Sequence, residues 1–376
     1  MGIMKRTRGI GRWLLAAIAT ATFAALGITQ AAAQTRLPMS LAQGPTVAVE
    51  SQAGANPSVS GDGKFVVFAG PPATDGDERA STVWLRDRSN GGEIELTQSL
   101  PGARTGDSVF PVISGDGCYV AVISEVPFDL FRDDDTGDRW DVYRMKLPSC
   151  GGSPNSWELI STTAYRGDNP SAADDVDQRF PPAISGAGSV IAYTHQFDAA
   201  QPDLVGVIVV DLTIPIGQPG HALPVAGTPT AAPNTTYRYL GVREPSVSDD
   251  GQFVAFTSDA NSNKATPDWS SGPIPGEFAS AQVYVWDRLH PDPNTAVNRA
   301  SLGIDSTVNG EASSPAISAD GTYVAFTSTA VNLVLGASLP PCIDSCPPQI
   351  YRYNRLDDPI VLVSRVPASI STQIIG

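Results

Sequence analysis

From residue 57 onward the chain sets apolar and polar positions in short alternating runs, and these runs recur in a fixed frame. The clearest are KFVVFA from Lys64, CYVAVI from Cys118, SVIAYT from Ser189, QFVAFT from Gln252 and TYVAFT from Thr322. Each follows directly on a copy of P-x-[VI]-S-x-[DA]-G: PSVSGDG at 57–63, PVISGDG at 111–117, PAISGAG at 182–188, PSVSDDG at 245–251 and PAISADG at 315–321. A third strand-type run comes later in every copy (VWLRD from Val83, VYRMK from Val142, VIVVD from Val207, VYVWD from Val283, IYRYN from Ile350). A fourth closes most of them: EIELTQ at 93, WELIST at 157, VNRASL at 297 and IVLVSR at 360, with HALPVAG at 221 a poor strand in the third copy. Four β-segments repeated five times, at glycine-to-glycine spacings of 54, 71, 63 and 70, predict a four-stranded antiparallel sheet used as a unit. No 3.6-residue period is sustained after residue 33, so helices longer than about two turns are not expected there. The predicted fold class is all-β: a β-propeller of five recognisable four-stranded antiparallel blades, or six if the chain is truncated.

The repeated motif has a local physical reason. Asp-Gly between two strands is a strong hairpin signal, because glycine tolerates the positive φ of a type I′ turn. The serine two residues before the Asp can hydrogen-bond across that turn. The proline is expected at the start of the first strand, where no ladder donor is needed. Ser and Asp so repeated read as turn scaffold and not as an array of nucleophiles and acids; Ala187 at the Asp position of the third copy implies that the turn survives without the carboxylate. The recurring Trp84, Tyr143, Tyr284 and Tyr351 read as packing between adjacent blades.

Residues 1–33 look like an address. Lys5, Arg6, Arg8 and Arg12 precede an apolar run over 13–28, and Ala31-Ala32-Ala33 offers small residues for cleavage, which together describe a secretory signal peptide with cleavage after Ala33. The run falls short of the ~20 residues that span a bilayer, and nothing later is long enough to cross as a helix. The expected mature protein is a single propeller domain over 34–376, secreted or periplasmic. The whole chain carries 24 Lys+Arg against 39 Asp+Glu, a net charge of -15 that becomes -19 once the leader is removed. No basic stripe follows residue 12, so nucleic acid is excluded as a partner.

The repeat P-x-[VI]-S-x-D-G-x-[FY]-V-A-F-T-S followed by a strand such as VYVWDR resembles the TolB-type, WD-like β-propeller repeat of bacterial periplasmic and secreted proteins, and the resemblance covers residues 57–366. It implies the fold and leaves function open, since such propellers include protein-binding scaffolds, peptidase propeller domains and polysaccharide lyases. Two departures stand out: the third copy is degenerate, and the sixth copy of six-bladed relatives is missing. TVAVE at 46–50 reads as a fourth strand without its blade.

Strand alternation puts the tight turns on one face of the ring and the long links (100–110, 163–181, 227–244, 259–281, 329–348) on the other, where binding function is expected. Asp133, Asp135, Asp138 and Asp141 form an interrupted oxygen-ligand pattern, a candidate calcium site and the one cofactor considered. Arg166-Gly167-Asp168 is an adhesion-type tripeptide, and Trp269 could stack on sugar or peptide; Trp269, Arg166 and Asp168 are therefore candidate partner contacts. No G-x-S-x-G elbow is present, and His195, His221 and His290 share no metal-ligand spacing, so no catalytic residue is assigned and the histidines read as loop residues. Export favours disulfides, and the blade register predicts Cys118–Cys150 across one blade and Cys342–Cys346 as a local staple. The expected function is a non-catalytic scaffold that binds a protein or glycan partner. The alternatives are a carbohydrate-active propeller enzyme (lyase or hydrolase) and a calcium-dependent adhesion module.

Overall fold

The computed structural model describes residues 55–364 except 73–80, 98–105, 127, 129–139, 154–155, 162–174, 197–204, 226–240, 260–280, 291–295, 304–308, 335–346 and 358. The chain divides into residues 1–50 and Ser51–Gly376, and five successive antiparallel sheets belong to the second of these units. The first sheet holds β1 (Ala55–Val59), β2 (Phe65–Gly70), β3 (Thr82–Asp87) and β4 (Glu93–Glu95). The second holds β5 (Ser108–Ile113), β6 (Tyr119–Ser124), β7 (Asp141–Lys146) and β8 (Trp157–Leu159). In the third, β9 (Asp175–Val176) and β10 (Ala183–Ile184) both pair with β11 (Val190–Gln196), followed by β12 (Val205–Asp211) and β13 (Ala222–Pro224). The fourth holds β14 (Arg243–Val247), β15 (Phe253–Ser258), β16 (Gln282–Asp287) and β17 (Val297–Arg299), and the fifth β18 (Ala312–Ile317), β19 (Tyr323–Ser328), β20 (Gln349–Asn354) and β21 (Ile360–Leu362). Strand order is the chain order in four of the sheets and along β10-β11-β12-β13 of the third, where β9 lies off this path, so each sheet is built on a meander. The only helical turn among the described residues is a 3-10 turn at Pro148–Cys150.

Successive sheets pack face to face, as blades do. Phe65 and Val67 of the first meet Val120, Val122 and Tyr143 of the second. Ala121 and Ile123 meet Ile191 and Tyr193; Val190 and Ala192 meet Val254, Phe256 and Tyr284; and Phe253 and Ala255 meet Val324, Phe326 and Tyr351. Period-two alternation places one set of side chains on the face toward the preceding sheet, the leading face, and the other on the trailing face. Because both faces are covered in the middle sheets, strands such as β12 are buried at every residue. The expected interblade aromatics are here: Tyr143, Tyr284 and Tyr351 are fully buried. The architecture is a β-propeller.

Three local expectations need correction. First, the Asp-Gly turns are not type I′. Only the glycine has positive φ, as at Gly63 (70°), and Gly63 N donates to Ser60 O at 2.8 Å. A type I′ turn would need positive φ at the Asp as well; the longer loop leaves Asp62 on the right-handed side and needs glycine once. Second, the prolines do not open the first strands. Pro57, Pro111, Pro245 and Pro315 sit inside them at a register shift, each after a residue of positive φ: Asn56, Phe110, Glu244 and Ser314 at 50–56°. A bulge breaks the ladder, and proline has no donor to lose there. In the third copy the position before Pro182 is Pro181, whose ring locks φ near about -65°, so the bulge cannot form. Its first strand shrinks to Ala183–Ile184, and β9 pairs with the far end of β11 instead. Third, the weak HALPVAG segment does pair, as β13, with Val209 opposite Leu223.

The tight turns are stitched from blade to blade. Gly61 N donates to Gly115 O (2.8 Å), Asp116 N to Gly186 O (2.8 Å), Gly186 N to Asp249 O (2.9 Å) and Asp249 N to Ala319 O (2.9 Å). At each junction the residue opening the second strand (Phe65, Tyr119, Val190, Phe253) lies against the turn glycine of the next blade; a side chain at Gly321 would collide with the Phe253 ring. The trailing face of the fifth blade differs. Tyr323 is 37% exposed, Ile350 46% and Val363 53%, and Gly63 of the first blade has only the Arg88 guanidinium near it. On the leading face of the first blade Val66, Phe68 and Trp84 are only half-buried.

Candidate functional site

The tight-turn end spends its polar groups on itself. Ser60 Oγ donates to Asp62 Oδ1 at 2.6 Å and accepts from Phe65 N, while Asp62 Oδ1 also accepts from Lys64 N. Ser114–Asp116, Ser248–Asp250 and Ser318–Asp320 repeat the pair at 2.5–2.6 Å. These hydroxyl and amide donors hold the exposed Asp62 and Asp320 below the ordinary carboxylate value of 3.8. In the third blade Ser185 still accepts from Val190 N at 3.0 Å with Ala187 in place of the Asp, so the turn stands without its carboxylate. Hydroxyls and carboxylates bonded in this way carry structure, and no nucleophile–base pair arises from them.

Different chemistry sits at the opposite end of the fourth blade, where β15 hands over to β16 and where β17 leaves the sheet. Arg243 Nη1 donates to Gly241 O (2.7 Å) and to Asp259 Oδ2 (2.9 Å). Glu244 Oε2 accepts from Thr257 Oγ1 and from Ser314 N of the fifth blade, both at 2.7 Å, tying the two blades together. Tyr284 and Arg299 face each other across β16 and β17. Directly opposed residues of an antiparallel pair share a face, here the leading face against the third blade. Burial pushes the Tyr284 hydroxyl up to about 12, with Arg299 opposing and Asp259 adding to the rise. Arg299 is 3% exposed, and among the described residues its Nε, Nη1 and Nη2 have no hydrogen-bond partner. Desolvation lowers its pKa, offset in part by Tyr284.

The sequence-derived candidates are distributed differently. Asp133, Asp135 and Asp138, with Arg166, Asp168 and Trp269, lie outside the described residues, as do Cys342 and Cys346. Asp141 opens β7, and its Oδ1 accepts from Ser161 Oγ at 2.6 Å. Among the described residues no group of three or more His, Cys, Asp or Glu is placed to hold a metal ion. Cys118 and Cys150 are disulfide-bonded with Cα atoms 5.5 Å apart, spanning the start of the second strand and the end of the third as the register requires. One histidine is not a loop residue: His195 is in β11 and buried. The strand predicted from SVIAYT runs on past Thr194 through His195 to Gln196. His221 is in the bend before β13, buried, with Nδ1 2.6 Å from Ile214 O.

Sequence reading missed Arg299. The signal was available in the repeat: the outer-strand residue opposite the third-strand site is Glu95, Leu159, Pro224 and Leu362 in the other blades, and only the fourth has a cation.

No protein-family model matches the chain, and no curated protein does. Solved structures it is similar to include TolB from Acinetobacter baumannii, at 15% identity over 81% of this chain and 53% of that one (TM-score 0.43). A putative TolB from Agrobacterium tumefaciens gives 13% over 81% and 78% (0.42), and an oligogalacturonate lyase from Vibrio parahaemolyticus 13% over 82% and 64% (0.45). The chain thus spans about half the length of the first TolB chain. At these identities the likeness extends to the fold and no further. Among the described residues no helix is long and apolar enough to cross a membrane.

Proposed function

We propose that this protein is an exported, non-catalytic β-propeller scaffold that binds a protein or glycan partner through the face carrying its long links. The observation that carries the reading is the unequal use of polar groups at the two ends of the blades. At the tight-turn end the repeated Ser and Asp side chains are engaged in holding the turns, bonding mostly within their own loops. At the other end the links vary in length and composition from blade to blade, and the fourth blade places a buried cation that the repeat does not need. Rigid blades with variable links on one side form a platform on which specificity is set by loops. The leader-like residues 1–33 and the Cys118–Cys150 bridge support an oxidising, extracytoplasmic location.

The test compares the two faces. Purified mature chain is used to capture partners from an envelope fraction and to probe a glycan array, with and without calcium. Replacing 260–280 by a short Gly-Ser link should abolish capture, whereas Leu289→Ser and Leu356→Ser, on exposed leucines of the tight-turn face, should leave it intact. The reverse pattern, or turnover of a glycan by the pure chain, would overturn the reading.

A further inference from the structure

Arg299 is chemically out of place. It is the last residue of β17, almost fully buried and opposite Tyr284, and the interface between its blade and the third is apolar, holding Phe256, Tyr284 and Trp286 from the fourth blade and Val207 and Val209 from the third. A guanidinium keeps its charge at any physiological pH and offers five donors in a planar fork. None of its three nitrogens meets an acceptor among the described residues. The carboxylate that bears on Tyr284 is committed elsewhere, Asp259 being ion-paired to Arg243 at 2.9 Å. Nor does the scaffold demand a cation at this position, since Leu159 and Leu362 stand opposite the equivalent Tyr143 and Tyr351 in the second and fifth blades. A buried, unpaired charge is strongly unfavourable and is retained where something pairs with it. The opposing trailing face of the third blade holds a second such group: Thr194 Oγ1, buried and without a hydrogen-bond partner among the described residues.

We propose that Arg299 anchors a binding site for a single carboxylate, supplied by an acidic side chain or the C-terminus of a partner peptide, between the third and fourth blades at their long-link end. A carboxylate matches the guanidinium fork in shape and neutralises its one charge, whereas a phosphate dianion would leave excess negative charge buried in an already acidic chain. The Tyr284 hydroxyl, kept protonated by its burial, stands beside the site as a neutral donor. The apolar side chains of this interface favour the slim aliphatic stem of a Glu side chain or a chain terminus over a sugar acid, whose ring hydroxyls would each need a partner there. The proposal rests on the scaffold reading for the existence of a partner and narrows it to a peptide.

Thermal shift and calorimetry on the mature chain test it, with sodium acetate, an acetylated Glu-containing tripeptide amide, glucuronate and inorganic phosphate at matched ionic strength. The expected result is a saturable rise in Tm with acetate and the peptide, none with phosphate, at least tenfold weaker binding in Arg299→Lys, and no response in Arg299→Leu. Without ligand, Arg299→Leu should melt above the wild type, because leucine already serves at this position in two other blades. A lower Tm for Arg299→Leu would make the arginine structural and overturn the site, as would absence of a saturable response to any carboxylate. An equal response to phosphate would overturn the carboxylate, and a response to glucuronate but not to the peptide would overturn the peptide. Envelope capture that survives Arg299→Leu would leave the scaffold reading standing and remove this one.

Discussion

The trailing faces of the fourth and fifth blades are written with the same residue pattern and meet opposite fates. Phe253-x-Ala255-x-Thr257 and Tyr323-x-Ala325-x-Thr327 occupy matching positions on β15 and β19, and Val283 on β16 matches Ile350 on β20. In the fourth blade these side chains are buried under the fifth, and Phe253 lies against Gly321 with the Arg355 guanidinium 3.8 Å from its ring centre. In the fifth blade Tyr323 and Ile350 are open, and the partner stacked on Tyr323 is Arg352 of the same blade, 4.6 Å from its ring centre. Alternation along a strand therefore states which residues are able to be buried. A neighbour decides whether they are.

The largest effect should come from equivalent truncations on the two faces. Phe253→Ala removes a ring packed between blades and should cost about 3–5 kcal/mol in denaturant unfolding, whereas Tyr323→Ala should cost less than about 1 kcal/mol. Equal losses would mean that the fifth face is covered after all. Next comes the second blade, whose register is pinned covalently. Replacing Cys118 and Cys150 together by Ser opens a loop of about 33 residues and should lower stability by roughly 3–4 kcal/mol on the chain-entropy account, read as a Tm drop absent when the wild type is reduced first.

Much of this was legible in the sequence, because the features that build a blade are local. The Ser-x-Asp-Gly turns, the strands after them and the Cys118–Cys150 bridge all follow from period and spacing, and the structure places them where they were expected. What was hidden depends on backbone conformation or on neighbours. Nothing in the alternation of NPSVS or FPVIS reveals that Asn56 and Phe110 take positive φ at a bulge. Nor does it reveal that Pro181 forbids the same bulge in the third blade, although the proline itself was visible. Arg299 was missed because VNRASL reads as an ordinary exposed outer strand; only pairing it with Tyr284, and burying both under the third blade, makes the cation conspicuous.

Smaller effects should separate turns that have a carboxylate from the one that lacks it. Ser248→Ala removes an acceptor for Phe253 N and the donor to Asp250, and should cost about 1–2 kcal/mol; Ser185→Ala, which has no carboxylate to release, should cost about 1 kcal/mol. Smallest is the pH effect. Asp62 and Asp320 bind protons less readily in the fold than in the unfolded chain, so their contribution is present above pH 3.8 and is lost as pH falls through their lower folded values. Changing both to Ala should flatten the acid limb of the stability profile below about pH 4, whereas the third turn, with Ala187, has no such limb to lose. An unchanged acid limb would mean that other carboxylates dominate it.

Four blade junctions are closed by equivalent packing, and the matching face of the fifth blade is open to solvent. Hydroxyl-radical footprinting of the native chain, read by mass spectrometry at single tyrosines, measures this directly. Tyr323 should be modified rapidly, while Tyr143, Tyr284 and Tyr351, buried at the first, third and fourth of these junctions, should be protected until the chain unfolds. Protection of Tyr323 equal to that of Tyr351 would contradict the account.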